Sequence, residues 1–426
     1  MSITVNDPGP PPDGGLQAWT QVLMGHLVLI NSWGYLTSFG IFQSYYRTTL
    51  GVTPSAISWI GSVQILLVYL IGTFSGRGLD AGYYHLILAF GFFLQILAVF
   101  MTSISTEYWQ LFLAQGICKG LGDGLVFCPT VSLVATYFSQ NRVLAMACTA
   151  SGGATGGIIF PLIAQQLLPK IGFGWTVRVM AFVICFNSAV ALAIAHVRLP
   201  PRRVGPLVEW SAFRELPYTL FCAGMFLNLW AVYFAYFYVS RHFLQDESLD
   251  GLTREQISTF GTQIIKVTPS MSLTILLVLN AVGIPGRLVC GLVADRLLGP
   301  INTLIPVALV SGILLYCWAA VDSIGSLFTF CVVYGFFAAG IQSLFPAACA
   351  SLTSDLTKMG VRTGMCFSFI SIACFTGPPL AGALIQRDDG GFLYAQAFGG
   401  SAFMGGTLTL LAARIAKNGL QLKVRM

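Results

Sequence analysis

Three ionisable side chains interrupt the most apolar stretches of this chain. Arg287 lies in NAVGIPGRLVCGLVADR (Asn280–Arg296), and Lys119 and Asp123 lie together in KGLGDG. At about 1.5 Å per helical residue, Arg287 is roughly 12 Å inside the end marked by Asp295. A guanidinium keeps its proton, and a charge at that depth in hydrocarbon costs at least ~2.5 kcal/mol. Such a residue either faces a wet cavity, a partner or a solute, or is held structurally by helix-end carbonyls or a neighbouring loop. The first reading makes Arg287 the leading ligand-contacting candidate. Lys119 and Asp123 stand at i,i+4, hence on one helical face, so that their net charge cancels. Two roles are open to them: a protonatable coupling residue with its counter-charge, or a structural interhelical pair. Pro285-Gly286 predicts a helix break just before Arg287.

No catalytic constellation accompanies these charges. The four His (His26, His85, His196, His242) are far apart, and there is no HExxH or other metal box. GLGDG at Gly120–Gly124 follows no strand, so it is not a nucleotide loop, and no Walker A sequence occurs. Neither a metal nor a cofactor is expected, and the chain does not read as an enzyme. The 11 Cys form no CxxC or framework spacing and read as small buried hydrophobes. His26 reads as a satisfied helix-interior residue.

The elements that must position these residues are set by composition. Of 426 residues 56% are hydrophobic and only 9% charged, and mean hydropathy is +0.78. Soluble domains carry ~25% charge, so this is an integral membrane protein. The polar, acidic, Pro-rich start MSITVNDPGPPPDGG lacks the basic and apolar regions of a cleavable signal. On a ruler of ~20 apolar residues per span there are twelve spans. They fall near Ala18–Phe42, Ala56–Phe74, Tyr84–Ser103, Trp109–Ala135, Val143–Leu168, Trp175–His196, Tyr218–Ser240, Met271–Ala294, Thr303–Val321, Ser323–Leu352, Thr363–Ile385 and Leu393–Arg414. The weakest breaks are at Ser103–Glu107 and Asp322. With both termini in the cytoplasm, thirteen Lys/Arg fall inside and seven outside, which supports that orientation. The net charge of +6 gathers in loops and tail, which suits a membrane face rather than nucleic acid.

The basic break Val197–Leu216 divides the spans six and six. The expected organisation is a tail (1–17), a six-helix bundle (18–196), a linker carrying a surface helix (197–217), a second six-helix bundle (218–414) and a tail (415–426). The loop Arg241–Thr268 reads as an outer loop with a capping box at Thr253. Arg414, Lys417, Lys423 and Arg425 read as a lipid-facing basic end. The halves look duplicated: Gly76, Arg77 and Asp80 follow span two as Gly291, Asp295 and Arg296 follow span eight, and spans five and eleven start just after Arg142 and Arg362. Duplicated bundles place a site at their interface near the midplane. The two Gly/Asp patches would occupy tight cytoplasmic turns, each Asp facing a helix N-terminus or an Arg across the seam. Gly152, Gly153, Gly156 and Gly157 form overlapping GxxxG pairs and read as packing. Asn31, Trp33, Tyr35, Gln64, Tyr69, Asn228, Tyr233, Asn280, Tyr334 and Gln342 are polar or aromatic residues within spans. As a set they describe an amphipathic cavity for a small organic anion or an aromatic molecule; singly, most would serve as structural hydrogen bonders or ring packing.

Three patches give a resemblance. PPDGGLQAW (Pro11–Trp19, with Asp13, Gly14, Gly15 and Trp19), YFSQNR (Tyr137–Arg142) leading into Leu144–Pro161, and Ile284–Arg287 with Gly291–Arg296 together resemble the major facilitator superfamily. More narrowly they are similar to the monocarboxylate porters and their fungal branch. The resemblance implies an all-α membrane fold of twelve helices in two pseudo-symmetric bundles, working by alternating access. It further implies that the Gly/Asp patches gate the cycle without touching cargo. The chain departs from proton-linked members: the place of their span-one Lys is at or beside Thr37, and that of their span-eight Asp is Gly283. Fungal relatives often export secondary metabolites. The leading expectation is therefore a monomeric plasma-membrane exporter of a small organic metabolite, driven by a proton or substrate gradient. Monocarboxylate uptake and a non-transporting sensor are the alternatives.

Overall fold

The computed structural model describes residues 9–40, 42, 45–46, 54–201, 206–241, 269–353, 355–388 and 391–419, without the side chains of 54–55, 233–241, 269–270 and 272. The long apolar runs become helices because only a helix satisfies every backbone donor and acceptor within one segment in lipid. In chain order these are α1 (Gly15–Leu29, running on through Ile30–Gly34 and Tyr35–Thr37), α2 (Pro54–Leu70 with Gly72–Asp80), α3 (Tyr84–Ile104) and α4 (Tyr108–Tyr137). The single run Arg142–Ile194 supplies two helices, α5 (142–171) and α6 (173–194). The second half contributes α7 (Leu216–Arg241), α8 (Pro269–Val293 with Ala294–Leu298), α9 (Pro300–Cys317), α10 (Ile324–Ser351), α11 (Met359–Arg387) and α12 (Leu393–Asn418). Among the described residues, eight segments are long and apolar enough to cross a membrane, the double segment 142–194 counted once.

The turns have local causes. Gly172 holds φ +74, a left-handed conformation that lets the chain reverse between α5 and α6. Both weak sequence breaks are turns. Gln110 Oε1 accepts the Thr106 amide at 2.8 Å ahead of α4, and the Ser323 side chain accepts the Ser326 amide at 3.2 Å ahead of α10. The linker carries a short 3₁₀ helix, Trp210–Arg214. Within the first bundle α1 lies along α5, and within the second α7 lies along α12 and α8 along α10. Between bundles α2 packs on α11, and α5 on α8.

Three expectations need correction. Pro285 does not break α8, which is continuous from Pro269 to Val293. Proline removes one donor, and a packed neighbour can hold the helix together: a Cβ on Gly286 would lie 2.3 Å from the Phe336 carbonyl oxygen of α10. Gly76, Arg77, Asp80, Gly291, Asp295 and Arg296 lie in the last helical turns of α2 and α8, because both helices run further than the apolar stretch alone suggests. Arg414 does not face lipid. It is buried and donates through Nε to Asn302 Oδ1 at 2.7 Å, tying α12 to α9, while Lys417 Nζ donates to the Ser351 carbonyl at 3.1 Å. Lys423, Arg425, the 242–268 loop with its capping box and the Tyr233 side chain lie outside the described residues.

Candidate functional site

The two bundles are held together at the end that carries the first described residues and the α12 terminus. There, Asp80 of α2 accepts the amides of Gly360 and Val361 at 3.0 and 2.9 Å, at the start of α11. Asp295 of α8 accepts those of Val143 and Leu144 at 3.0 and 2.7 Å, at the start of α5. Each half thus lends a carboxylate to a helix N-terminus of the other, where orphan amides and the helix dipole favour negative charge. Close approach makes this possible: a Cβ on Gly76 would sit 2.2 Å from the Gly360 carbonyl oxygen. Gly291 meets Leu144 and Ala147 in the same manner. Arg77 is half-buried and Arg296 exposed at these helix ends.

Capping carboxylates of this kind typically contribute about 1 kcal/mol or somewhat more. Asp80→Ala or Asp295→Ala is expected to shift the closed-to-open ratio of this seam about tenfold. Spin-label distances between the α2–α3 and α10–α11 turns check this; an unchanged distance distribution in both variants refutes it.

A second pair of clamps precedes α1 and α7. Asp13, at φ +53, accepts through Oδ1 from the amides of Ser139 and Gln140, the latter at 2.6 Å, and its own amide donates to the Tyr137 carbonyl at 3.1 Å. Gly15 at φ +82 turns the chain into α1, with Gly14 between them in extended backbone, and Trp19 packs edge-on against Phe138 at 5.4 Å. Arg142 donates through Nε to the Phe138 carbonyl at 2.8 Å. In the second half Glu209 pairs with Lys358 at 2.8 Å and lies 3.5 Å from Arg362 Nε, and Glu215 receives both Nη groups of Arg362.

Sequence reasoning missed Glu209 and Glu215, although they flank the short linker helix Trp210–Arg214. Burial favours the neutral acid at Glu209, but the Lys358 hydrogen bond and the Arg362 charge outweigh it and hold the carboxyl below its ordinary range. A depressed pKa means stability present above the unfolded value of ~4.3 and lost as pH falls through the folded one. Glu209→Gln is therefore expected to cost ~2 kcal/mol, equally from pH 5.5 to 8. Thermal unfolding across that range checks it, and a deficit that grows or fades with pH there contradicts the assignment.

Above the seam lies a polar network inside the first bundle. Lys119 Nζ meets Asp123 Oδ1 at 2.5 Å and donates to the Asn31 carbonyl at 2.9 Å, both ionic side chains being at most 1% exposed. Gln95 and Gln64 donate to the two Asp123 oxygens at 2.7 and 3.0 Å. Asn31 donates to Ser188 Oγ at 3.1 Å and accepts from Asn187 at 3.0 Å. Tyr35 lies under the ammonium, 5.2 Å from ring centre to Nζ, and packs on Phe160. The network joins α1, α2, α3, α4 and α6, and π-helical turns at Ile30–Gly34 and Phe112–Cys118 adjoin it. Such turns concentrate at functional sites. Gln95, Asn187 and Ser188 were missed, although Gln95 alone interrupts the apolar run of α3.

Arg287 is 6% exposed and donates through Nη2 to Gln342 Oε1 of α10 at 2.8 Å. Its Nη1 lies 2.8 Å from where a Gly283 Cβ would be, so the guanidinium folds back over the glycine one turn earlier. One level further from the clamped end, Thr37 and Asn280 converge on Gly157: a Cβ there would meet Asn280 Oδ1 at 2.7 Å and Thr37 Oγ1 at 3.0 Å. Gly153 likewise adjoins Trp33, whereas Gly152 and Gly156 pack on the α1 backbone at His26 and Gly34. One glycine stripe thus packs on the α1 backbone, and the other meets the side chains of Trp33, Thr37 and Asn280. Trp33 is half-buried and lies 5.4 Å from Tyr69 between ring centres.

The remaining candidates lie elsewhere. Asn228 is fully buried, donates to the Gly224 carbonyl at 2.7 Å and abuts Gly406 of α12. Tyr334 is fully buried and stacks on Phe330 at 5.4 Å in the second bundle. His26 makes a 2.8 Å hydrogen bond to the Cys148 carbonyl, consistent with a satisfied helix-interior residue.

A family model described as Major Facilitator Superfamily matches residues 24–378. An MFS-type transporter of Gibberella zeae is 44% identical over 96% of this chain and 89% of its own. The aspyridones efflux protein apdF of Emericella nidulans is 34% identical over 96% of this chain and 80% of its own. The MFS-type transporter dbaD of the same organism is 34% identical over 88% and 81%. In fold, the chain is similar to the solved structure of the human organic anion transporter MFSD10, with TM-score 0.73 and 13% identity over 92% of this chain and 99% of that one.

Proposed function

Since this chain belongs to the Major Facilitator Superfamily, we propose that it is a plasma-membrane exporter of a small organic secondary metabolite, anionic or aromatic, within the fungal branch of the monocarboxylate porters. The observation that carries the reading is Arg287. A permanent cation is buried between α8 and α10 and donates to the neutral amide of Gln342. A desolvated cation attracts a carboxylate or other electronegative group far more strongly than one in water.

Kinship with a transporter named as an efflux protein, apdF, supports outward movement. Gly283 and Thr37, standing where proton-linked porters carry Asp and Lys, argue against lactate-type symport. In this reading residues 18–196 and 218–414 rock about the site, linker 197–217 joins them, and the 1–17 and 415–426 tails face the cytoplasm. The two capping carboxylates Asp80 and Asp295, which reach across the seam, favour the state closed on that side. Opening breaks the Asp80 and Asp295 caps and delivers cargo to Arg287; closure re-forms them. The protein works as a monomer, needs no cofactor, catalyses no covalent step, and draws on a proton or substrate gradient.

Metabolite profiling of cells with and without the gene, inside and in the medium, together with flux in reconstituted vesicles, tests this. A metabolite retained inside the deletion strain and moved by the vesicles is expected. Identical profiles with no vesicle flux refute export.

A further inference from the structure

Phe127, Phe345 and Phe367 take no part in the contacts described so far, yet with Trp33 and Tyr69 they form an unbroken bridge of rings between the bundles. From the first bundle, Trp33, Tyr69 and Phe127 lie 5.4 to 5.9 Å apart between ring centres. From the second, Phe345 of α10 and Phe367 of α11 are 5.1 Å apart. Across the seam Phe127 stacks on Phe367 at 5.2 Å and 12°, and Tyr69 meets Phe367 edge-on at 5.5 Å and 86°. All are buried except Trp33, which is half-buried beside Gly153.

Phe345 stands at i,i+3 from Gln342, the partner of Arg287, so ring bridge and cation share one stretch of α10. At the level of the bridge, the Thr73 and Ser368 hydroxyls meet across the seam at 2.7 Å.

We propose that this bridge is both the aromatic half of the cargo site and the inner gate. When the bundles part, the Phe127–Phe367 stack opens and a planar ring of the cargo takes the vacated face, with its carboxylate toward Arg287. The cargo class is a planar aromatic acid. The inference rests on the export reading of the same site.

The physical reason is that parting the bundles bares two flat ring faces to water. A planar apolar ring restores the lost contact, and with it the edge and face electrostatics that aromatic pairs favour. A saturated ring system of the same charge and similar volume restores burial without those electrostatics. Recognition and gate release are then one event, because the cargo binds the parted seam better than the closed one.

The test uses the purified full chain in lipid nanodiscs, with 2-naphthoate and decahydro-2-naphthoate as probes. The native protein is expected to bind the aromatic acid about tenfold more tightly than the saturated one. Phe127→Leu with Phe367→Leu is expected to erase that preference, bringing the two acids to equal affinity; each single variant, expected to lose about half of it, serves where the double fails to fold. Arg287→Gln weakens both probes. In Thr73→Cys/Ser368→Cys protein, oxidative cross-linking is expected to fall with 2-naphthoate and not with its saturated counterpart. Equal binding of the two acids by the native protein, or a preference that survives in the folded Leu variants, overturns the proposal. Failure of both acids to bind, with metabolite export intact, overturns it and leaves the export reading standing. A retained naphthoate preference without vesicle flux or a changed metabolite profile refutes export and with it the gate role, leaving only an aromatic-acid binding site.

Discussion

Replacing Arg287 by Gln is expected to lower vesicle flux of the exported metabolite at least about thirtyfold, with the protein still monodisperse and inserted. Truncating one member of a desolvated, hydrogen-bonded charge pair costs ~2–5 kcal/mol, and each 1.4 kcal/mol is tenfold. The pair in question is that between Arg287 and bound cargo; in the structure the cation donates to the neutral Gln342. Gln at 287 keeps a donor for Gln342 and most of the length, so the fold should tolerate it. Arg287→Lys separates charge from geometry: the ammonium lacks the planar fork, and an intermediate loss of about tenfold is expected if both matter. Gly283→Ala adds a third arm, because its Cβ would come within 2.8 Å of Nη1 and displace the guanidinium without touching its charge. Flux that stays normal in Arg287→Gln, with the residue inaccessible from both aqueous sides, would remove the proposed site.

Much of this architecture was written in hydropathy. Runs of some twenty apolar residues can only become helices in lipid, and the Pro- and Arg-rich break at 197–216 divides them. The capping role of Asp80 and Asp295 was also legible, since a Gly four residues before an Asp, repeated six spans apart, implies a close approach and a carboxylate at its end. What sequence could not give was partnership. Nothing local tells Asn228 from Asn280, both lone amides in apolar helices. Yet one abuts Gly406 inside its own bundle and the other faces Gly157 across the seam. Arg414 looked like a snorkelling tail residue until Asn302 of another helix met it. Phe127 and Phe367 were invisible for a different reason. Phenylalanine is common in any membrane helix, and only the crossing of α4 with α11 turns two of them into a stack. Pro285 failed in the opposite direction: a strong local rule lost to tertiary packing against α10.

The pair Lys119–Asp123 is where these two kinds of knowledge meet. Spacing alone left it open between a proton-coupling pair and a structural one, and its surroundings lead to a definite expectation. Lys119→Met or Asp123→Asn alone should sharply reduce folded protein at the membrane, because each leaves an opposite charge buried among α1, α2, α3 and α4. Breaking a buried pair by removing one partner typically costs ~3–5 kcal/mol, a large share of the stability of an ordinary fold. The double variant Lys119→Met/Asp123→Asn should recover expression. No net charge is buried, and an amide at 123 can donate to Gln64 Oε1 or Gln95 Oε1, which accept no hydrogen bond in the native network. Fluorescence-detected chromatography of the three variants measures the recovery, and the coupling energy follows from the double-mutant cycle. If the pair is structural, the recovered double variant also exports with an unaltered pH profile. A double variant that folds well but loses the pH dependence of flux would instead make Asp123 the proton carrier, with Gln64 and Gln95 as its hydrogen-bond partners.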